Sequence, residues 1–107
     1  MARLIAYTAT SALGHGCAPT LAALQQGRSG LTPCDFADAD IATWMGAVSG
    51  LEAATLPPAL ADWDCRNNRL AWHALQVDGM LEALHAAIAR FGNTRVGLVL
   101  GTSTSGI

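Results

Sequence analysis

The 107-residue chain is predicted to be an α/β protein, and three observations predict it. A short apolar run at residues 3–9 has the length and composition of a buried strand. A stripe of apolar residues at helical spacing extends from about Asn68 to Phe91. A second apolar run, at residues 96–100, leads straight into a loop of small residues. Strands that read as buried on both faces, with a helix between them, are the pattern of a parallel sheet covered by helices.

Each element has a local reason. In the first strand, Tyr7 and Thr8 add β propensity, and Gly14 and Gly16 mark the loop that follows. Pro19 suits the first turn of a helix carrying Leu21, Ala22, Leu24 and Gln25, which Gly27 ends in a left-handed cap. Arg28, Ser29 and Gly30 then turn the chain. Residues 31–66 are loop-rich, with a short strand expected within residues 43–48, and belong over an edge or an interface. Pro57 and Pro58 break any helix, and Asp62, Trp63 and Asp64 precede the long one. In that helix Leu70, Ala74, Val77, Leu81, Leu84 and Ile88 recur at steps of four and three, widened by Ala71, Leu75 and Ala87. Gly79 inside it costs roughly 1 kcal/mol relative to alanine, which implies something packed closely there. Gly92 and Asn93 end the helix, and Val96, Gly97, Leu98, Val99 and Leu100 form a strand buried on both faces.

Composition narrows the function classes. Hydrophobic residues are 51% of the chain, charged residues 13%, and the mean hydropathy is +0.32; a disordered tail is excluded. Alanine occupies 21 positions, small side chains that let helices approach sheets. Six arginines, no lysine and a net charge of -2 provide no basic face for a phosphate backbone, so no nucleic acid is expected as a partner. No apolar run approaches the ~20 residues that span a bilayer. Three cysteines without a CxxC, Cys17, Cys34 and Cys65, read as reduced thiols of a cytoplasmic protein rather than a disulfide framework or a zinc site. Thr8, Thr10 and Ser11 interrupt what would otherwise hint at a secretory signal.

Local chemistry is sparse. The small-residue loop of residues 101–106 lacks the Gly-Lys-Ser/Thr ending of a P-loop and the spacing of a dinucleotide fingerprint. Ser103 and Ser105, the candidate nucleophiles, fail the Gly-x-Ser-x-Gly pattern, and a serine hydrolase is not expected. His73 and His85, on one helix, would lie ~18 Å apart and about 120° around the axis, so they share no metal. His15 beside Cys17 reads as loop polarity. Asp35, Asp38 and Asp40 read as a solvated turn, because the calcium-loop glycine and the bidentate glutamate are missing. No catalytic residue, cofactor or metal ligand is assigned within residues 1–107.

Taken in order, four segments resemble the amino-terminal part of a β-ketoacyl-(acyl carrier protein) synthase, a condensing enzyme of the thiolase fold. Residues 4–14, LIAYTATSALG, look like the opening strand and its Thr/Ser-Pro/Ala-Leu-Gly turn. Residues 21–31, LAALQQGRSGL, are similar to the family's W-x-x-L-x-x-G-x-S-G-I segment. Asn68, Arg69, Leu70 and Ala71 resemble the start of its D-R-x-x-x-L-A helix, with Asn68 in place of the acid. Residues 95–106, RVGLVLGTSTSG, look like its R-x-G-x-x-x-G-T/S strand and loop, and their wording leans toward bacterial polyene or polyketide-type pathways.

The resemblance implies a partial amino-terminal domain over residues 1–107. Its expected fold is the incomplete first part of a thiolase-like layered α-β-α-β-α architecture, ending before the nucleophile elbow. It implies decarboxylative Claisen condensation in fatty-acid or polyketide-type biosynthesis. A cysteine downstream would carry the acyl thioester, and two later histidines would assist. Expected partners are an acyl carrier protein and a second synthase or chain-length-factor subunit, as a homo- or heterodimer. Thr104, fourth in the loop after the last strand, would wall the substrate pocket, its small hydroxyl opening the pocket or making it more polar. Two alternatives stand beside this: a non-catalytic chain-length-factor subunit, and a stand-alone small α/β interaction or ligand-binding module.

Overall fold

The computed structural model describes residues 1–35 and 40–102. Within them the chain is a small mixed α/β protein. Its three α-helices are accompanied by three 3-10 segments and two two-stranded antiparallel ribbons. The first ribbon pairs β1 (Thr10–Ser11) with β2 (Gly14–His15), Thr10 opposite His15, around a tight turn at Ala12 and Leu13. The second pairs β3 (Thr32–Pro33) with β4 (Trp44–Met45).

Helix α1 (Cys17–Gln25) packs on the first ribbon and contributes Ala23, which is fully buried. It ends as its glycine requires. Gly27, in the left-handed region, donates its N–H to Leu24 O at 3.1 Å, and Arg28 donates to Ala23 O at 2.9 Å. These two bonds satisfy the last carbonyls in a Schellman motif. The tip of the first ribbon then rests on Gly30, where any Cβ would come within 2.8 Å of the Ala12 backbone.

The long helix expected from Asn68 to Phe91 is two helices, α2 (Arg66–Leu75) and α3 (Met80–Phe91). The break has a local cause. Asp78 and Gly79 both take positive φ, 56° and 66°, and an Asp-Gly pair is a favoured turn former. Nothing packs tightly on Gly79, whose nearest neighbour to an added Cβ is Glu82 Oε2 at 4.0 Å. The glycine therefore serves the turn, not a close contact. The apolar stripe misled because its spacing continues unbroken on both sides of the turn.

A 3-10 segment, Pro58–Trp63, precedes α2. It is fastened by Arg69, whose Nε and Nη2 donate to the two Asp64 carboxylate oxygens at 2.6 and 2.7 Å, and by Asn68 Nδ2 donating to Trp63 O at 2.7 Å. A second, Leu51–Ala53, packs against α2 and buries Leu51 to 1% exposure. Arg66 ties it down through Glu52.

Neither expected buried strand forms. Among the described residues, 3–9 and 96–100 have no ladder partner, and several of their apolar side chains stay largely exposed, Leu4 at 78% and Val99 at 93%. Hydrophobicity supplied the propensity, but a strand also needs a neighbouring backbone to hydrogen-bond. Of the strand expected in residues 43–48, only Trp44–Met45 forms. The packing is correspondingly open. The radius of gyration is 16.1 Å, against about 13 Å for a compact domain of this length. The accessible area is 8166 Å², against roughly 5600 Å² for a compact monomer of this mass. Among the described residues only Ala23, Leu51 and Ala87 form buried apolar core.

With so little core, each member counts. Leu51→Ala is expected to destabilise the full chain by about 2–5 kcal/mol, read as a lowered urea midpoint without a change in slope.

Candidate functional site

Three features converge around the first ribbon: a carboxylate junction, a chain of two histidines and a serine, and an apolar cavity. The junction is built on Asp78. Its Oδ2 accepts the Thr8 hydroxyl at 2.8 Å and the Cys17 backbone N–H at 2.8 Å. One carboxylate thus ties the N-terminal segment, the first turn of α1 and the α2–α3 turn. It also places negative charge where the helix dipole is positive. Gly16 makes room for it: its φ is 97°, and a Cβ there would lie 2.9 Å from Asp78 Oδ1.

The Thr8 hydroxyl, then the Cys17 N–H, hold the Asp78 carboxyl below the usual carboxylate range, against an opposing desolvation. Desolvation pushes the half-buried Cys17 thiol up, and hydrogen bonding and charge from Asp78 add to the rise. Such a thiol stays protonated at neutral pH and is a poor nucleophile.

His15 sits on β2 between two glycines, and α2 aims His73 at it. Their rings meet edge to face at 4.6 Å between centroids, with His73 Nε2 and His15 Nδ1 sharing a hydrogen at 2.7 Å. The other His15 nitrogen, Nε2, lies 2.9 Å from Ser49 Oγ in the turn before the Leu51–Ala53 segment. The bond between the rings exists only while one of the facing nitrogens carries no hydrogen. Sequence reasoning set His73 and His85 on one helix, too far apart to share a metal, and left His15 as a polar loop residue; the two helical histidines lie on α2 and α3. The residues that meet are 58 and 34 positions apart, a separation that no local pattern encodes.

The cavity has a volume of about 650 Å³. It is lined by Leu4 and residues 6–12, by residues 97–102, and by Leu70, Ala74 and Leu75 of α2. A smaller cavity of about 80 Å³ lies between residues 3–6, residues 96–98 and the α3 side chains Met80 and Leu84. In the lining of the larger cavity Thr10 Oγ1 is buried without a hydrogen-bond partner. An unpaired buried hydroxyl is unfavourable, so it offers a polar handle to whatever fills the space.

Thr104, the expected pocket residue, lies outside the described residues, as do Ser103, Ser105 and Asp38. Among the described residues no three His, Cys, Asp or Glu side chains gather as a metal site, and no helix is long and apolar enough to cross a membrane. Compared with protein-family models, curated proteins and solved structures, the chain matches none.

The Asp78 junction has a defined pH dependence. Its carboxyl titrates lower folded than unfolded, so its contribution is complete above the unfolded carboxylate range near pH 4 and is lost as pH falls through the folded value. The Cys17 amide resonance is expected to shift through an inflection below about pH 4, and Asp78→Asn is expected to abolish it. The Asp64 inflection, which is of the same sign because Arg69 lowers that carboxyl, should survive that substitution.

Proposed function

We propose that the chain is part of a cytoplasmic 3-oxoacyl-(acyl carrier protein) synthase. In this reading residues 1–107 supply scaffold and the mouth of the acyl pocket within a thiolase-like layered fold, and the protein works with an acyl carrier protein and a second synthase subunit. The observation that carries the reading is the cavity. The two segments that resemble the family's strands, some ninety residues apart, line one largely apolar space together with residues of α2. Its volume is in the range of small-molecule sites, roughly 300–1,000 Å³. The uncovered apolar side chains of both segments, Leu4, Ile5, Tyr7, Val99 and Leu100, also favour further sheet packed beside them.

The reaction places the acyl chain as a thioester on a cysteine of the complete enzyme. Malonyl-carrier protein loses carbon dioxide, the resulting carbanion attacks the thioester carbonyl, and the cysteine leaves as thiolate. No reacting group of this sequence is assigned to residues 1–107; their contribution is shape and apolar lining. A chain-length-factor subunit would use the same surfaces without the acylated cysteine. The same exposed apolar side chains would also serve a small interaction module.

The test is the full-length protein with acyl- and malonyl-carrier protein. Release of carbon dioxide, a product two carbons longer and an acyl adduct on one cysteine by mass spectrometry are expected. A protein with neither adduct nor product that nevertheless shifts the chain length made by a partner synthase is the non-catalytic subunit. Absence of all three effects overturns the reading. With activity present, Thr104→Ile is expected to shift products shorter by at least one extension step, and unchanged selectivity removes Thr104 from the pocket wall.

A further inference from the structure

We infer that Ser49, His15 and His73 form an acyl-transfer relay, with Ser49 as nucleophile, His15 as general base and His73 as the residue that positions the base. The inference is independent of the condensing-enzyme reading, which uses none of the three. A nucleophile within hydrogen-bond reach of a base, with the base oriented by a third group, is the arrangement that activates a hydroxyl. The distances meet it: 2.9 Å from Ser49 Oγ to His15 Nε2 and 2.7 Å from His15 Nδ1 to His73 Nε2.

The two histidine contacts use opposite ring nitrogens of His15, as such a relay requires. His15 in its Nδ1–H form donates to His73 Nε2, which leaves His15 Nε2 free to accept the Ser49 proton. In this tautomer pair, with His73 Nε2 accepting, His73 holds the His15 ring plane and leaves His15 Nε2 as the base. Ser49 is exposed in its turn, so a substrate carbonyl reaches it from solvent. Its neighbour Val48 lines the 650 Å³ cavity, which suits an aliphatic acyl group. The substrate class assigned to the relay on this placement is a short-chain aliphatic acyl ester.

In the acylation step Ser49 Oγ attacks the ester carbonyl carbon and its proton passes to His15 Nε2. The tetrahedral intermediate collapses, the bond to the alcohol oxygen breaks with its electron pair, and His15 returns the proton to that oxygen. Water then attacks the acyl-serine, giving its proton to His15. The Ser49 ester bond breaks, the acid departs, and His15 reprotonates Ser49. The net reaction is ester plus water to acid plus alcohol.

The test uses the full chain with a fluorophosphonate probe, located by peptide mass spectrometry, and p-nitrophenyl butyrate as substrate. Stoichiometric labelling of Ser49 and ester turnover are expected. His15→Asn should slow both by on the order of 10²–10⁴-fold, the usual contribution of a general base. His73→Ala should lower kcat for the ester with KM unchanged. His73→Glu, whose carboxylate can accept the same N–H, should recover most of the loss. His85→Asn, an exposed histidine outside the relay, should leave labelling unchanged. Should a variant fail to fold, Ser49→Cys with a thiol-directed acylating probe provides a second measurement of the same base. Absence of Ser49 labelling in the parent protein overturns the relay. So does labelling that His15→Asn leaves at the parent rate, and equal loss in His73→Glu and His73→Ala reduces His73 to a structural residue.

Discussion

The Asp78 carboxylate is where this chain is tied together. It accepts hydrogen bonds from the Thr8 hydroxyl and from the first N–H of α1, joining parts of the sequence 70 and 61 residues away. Two backbone conditions make the contact possible. The positive φ at Asp78 turns the chain between α2 and α3, and the missing side chain at Gly16 leaves space for the carboxylate oxygens. The first ribbon is held by the same neighbourhood, because Gly16 donates its N–H to Ala9 O at 2.8 Å. His15 therefore meets α2 in a position that Asp78, five residues beyond His73, helps to set.

Around that junction polar geometry is specific while apolar packing is thin. Arg69 grips Asp64 through two parallel bonds, the fork geometry that makes arginine–carboxylate pairs directional. By contrast, the apolar residues of both terminal segments contribute little core and instead border cavities. Burial of apolar area is the main favourable term in folding. A structure that leaves Leu4 and Val99 largely in water has much of that term still to gain from further surface laid against it. This physical situation connects the proposed place in a condensing enzyme with the shape described.

The local elements were legible. Pro19 and Gly27 bracket α1 because proline fixes φ near the helical value and glycine tolerates the positive φ of the cap, both without tertiary help, and Gly92 ends α3 through the same freedom. The amphipathic stripe correctly marked helix on both sides of residues 76–79, yet it concealed the break. The Asp-Gly pair was the available signal, outweighed by periodicity. The two apolar runs were legible as extended and hydrophobic but not as unpaired, since pairing depends on a second backbone whose position no local pattern specifies.

Read alone, the sequence determined the mixed α/β character, the helix caps and the lack of any apolar stretch long enough to span a bilayer. These follow from side-chain chemistry and φ preferences acting within a few residues. Only the tertiary structure decided that His15 faces His73 and Ser49, that Asp78 caps a helix sixty-one residues earlier, and that Leu4, residues 6–12 and residues 97–102 share one cavity. Contacts of that kind depend on where distant backbone comes to rest. Hydrogen bonds hold over about 3 Å, so a small change in the path of the chain makes or removes them while the local sequence stays the same.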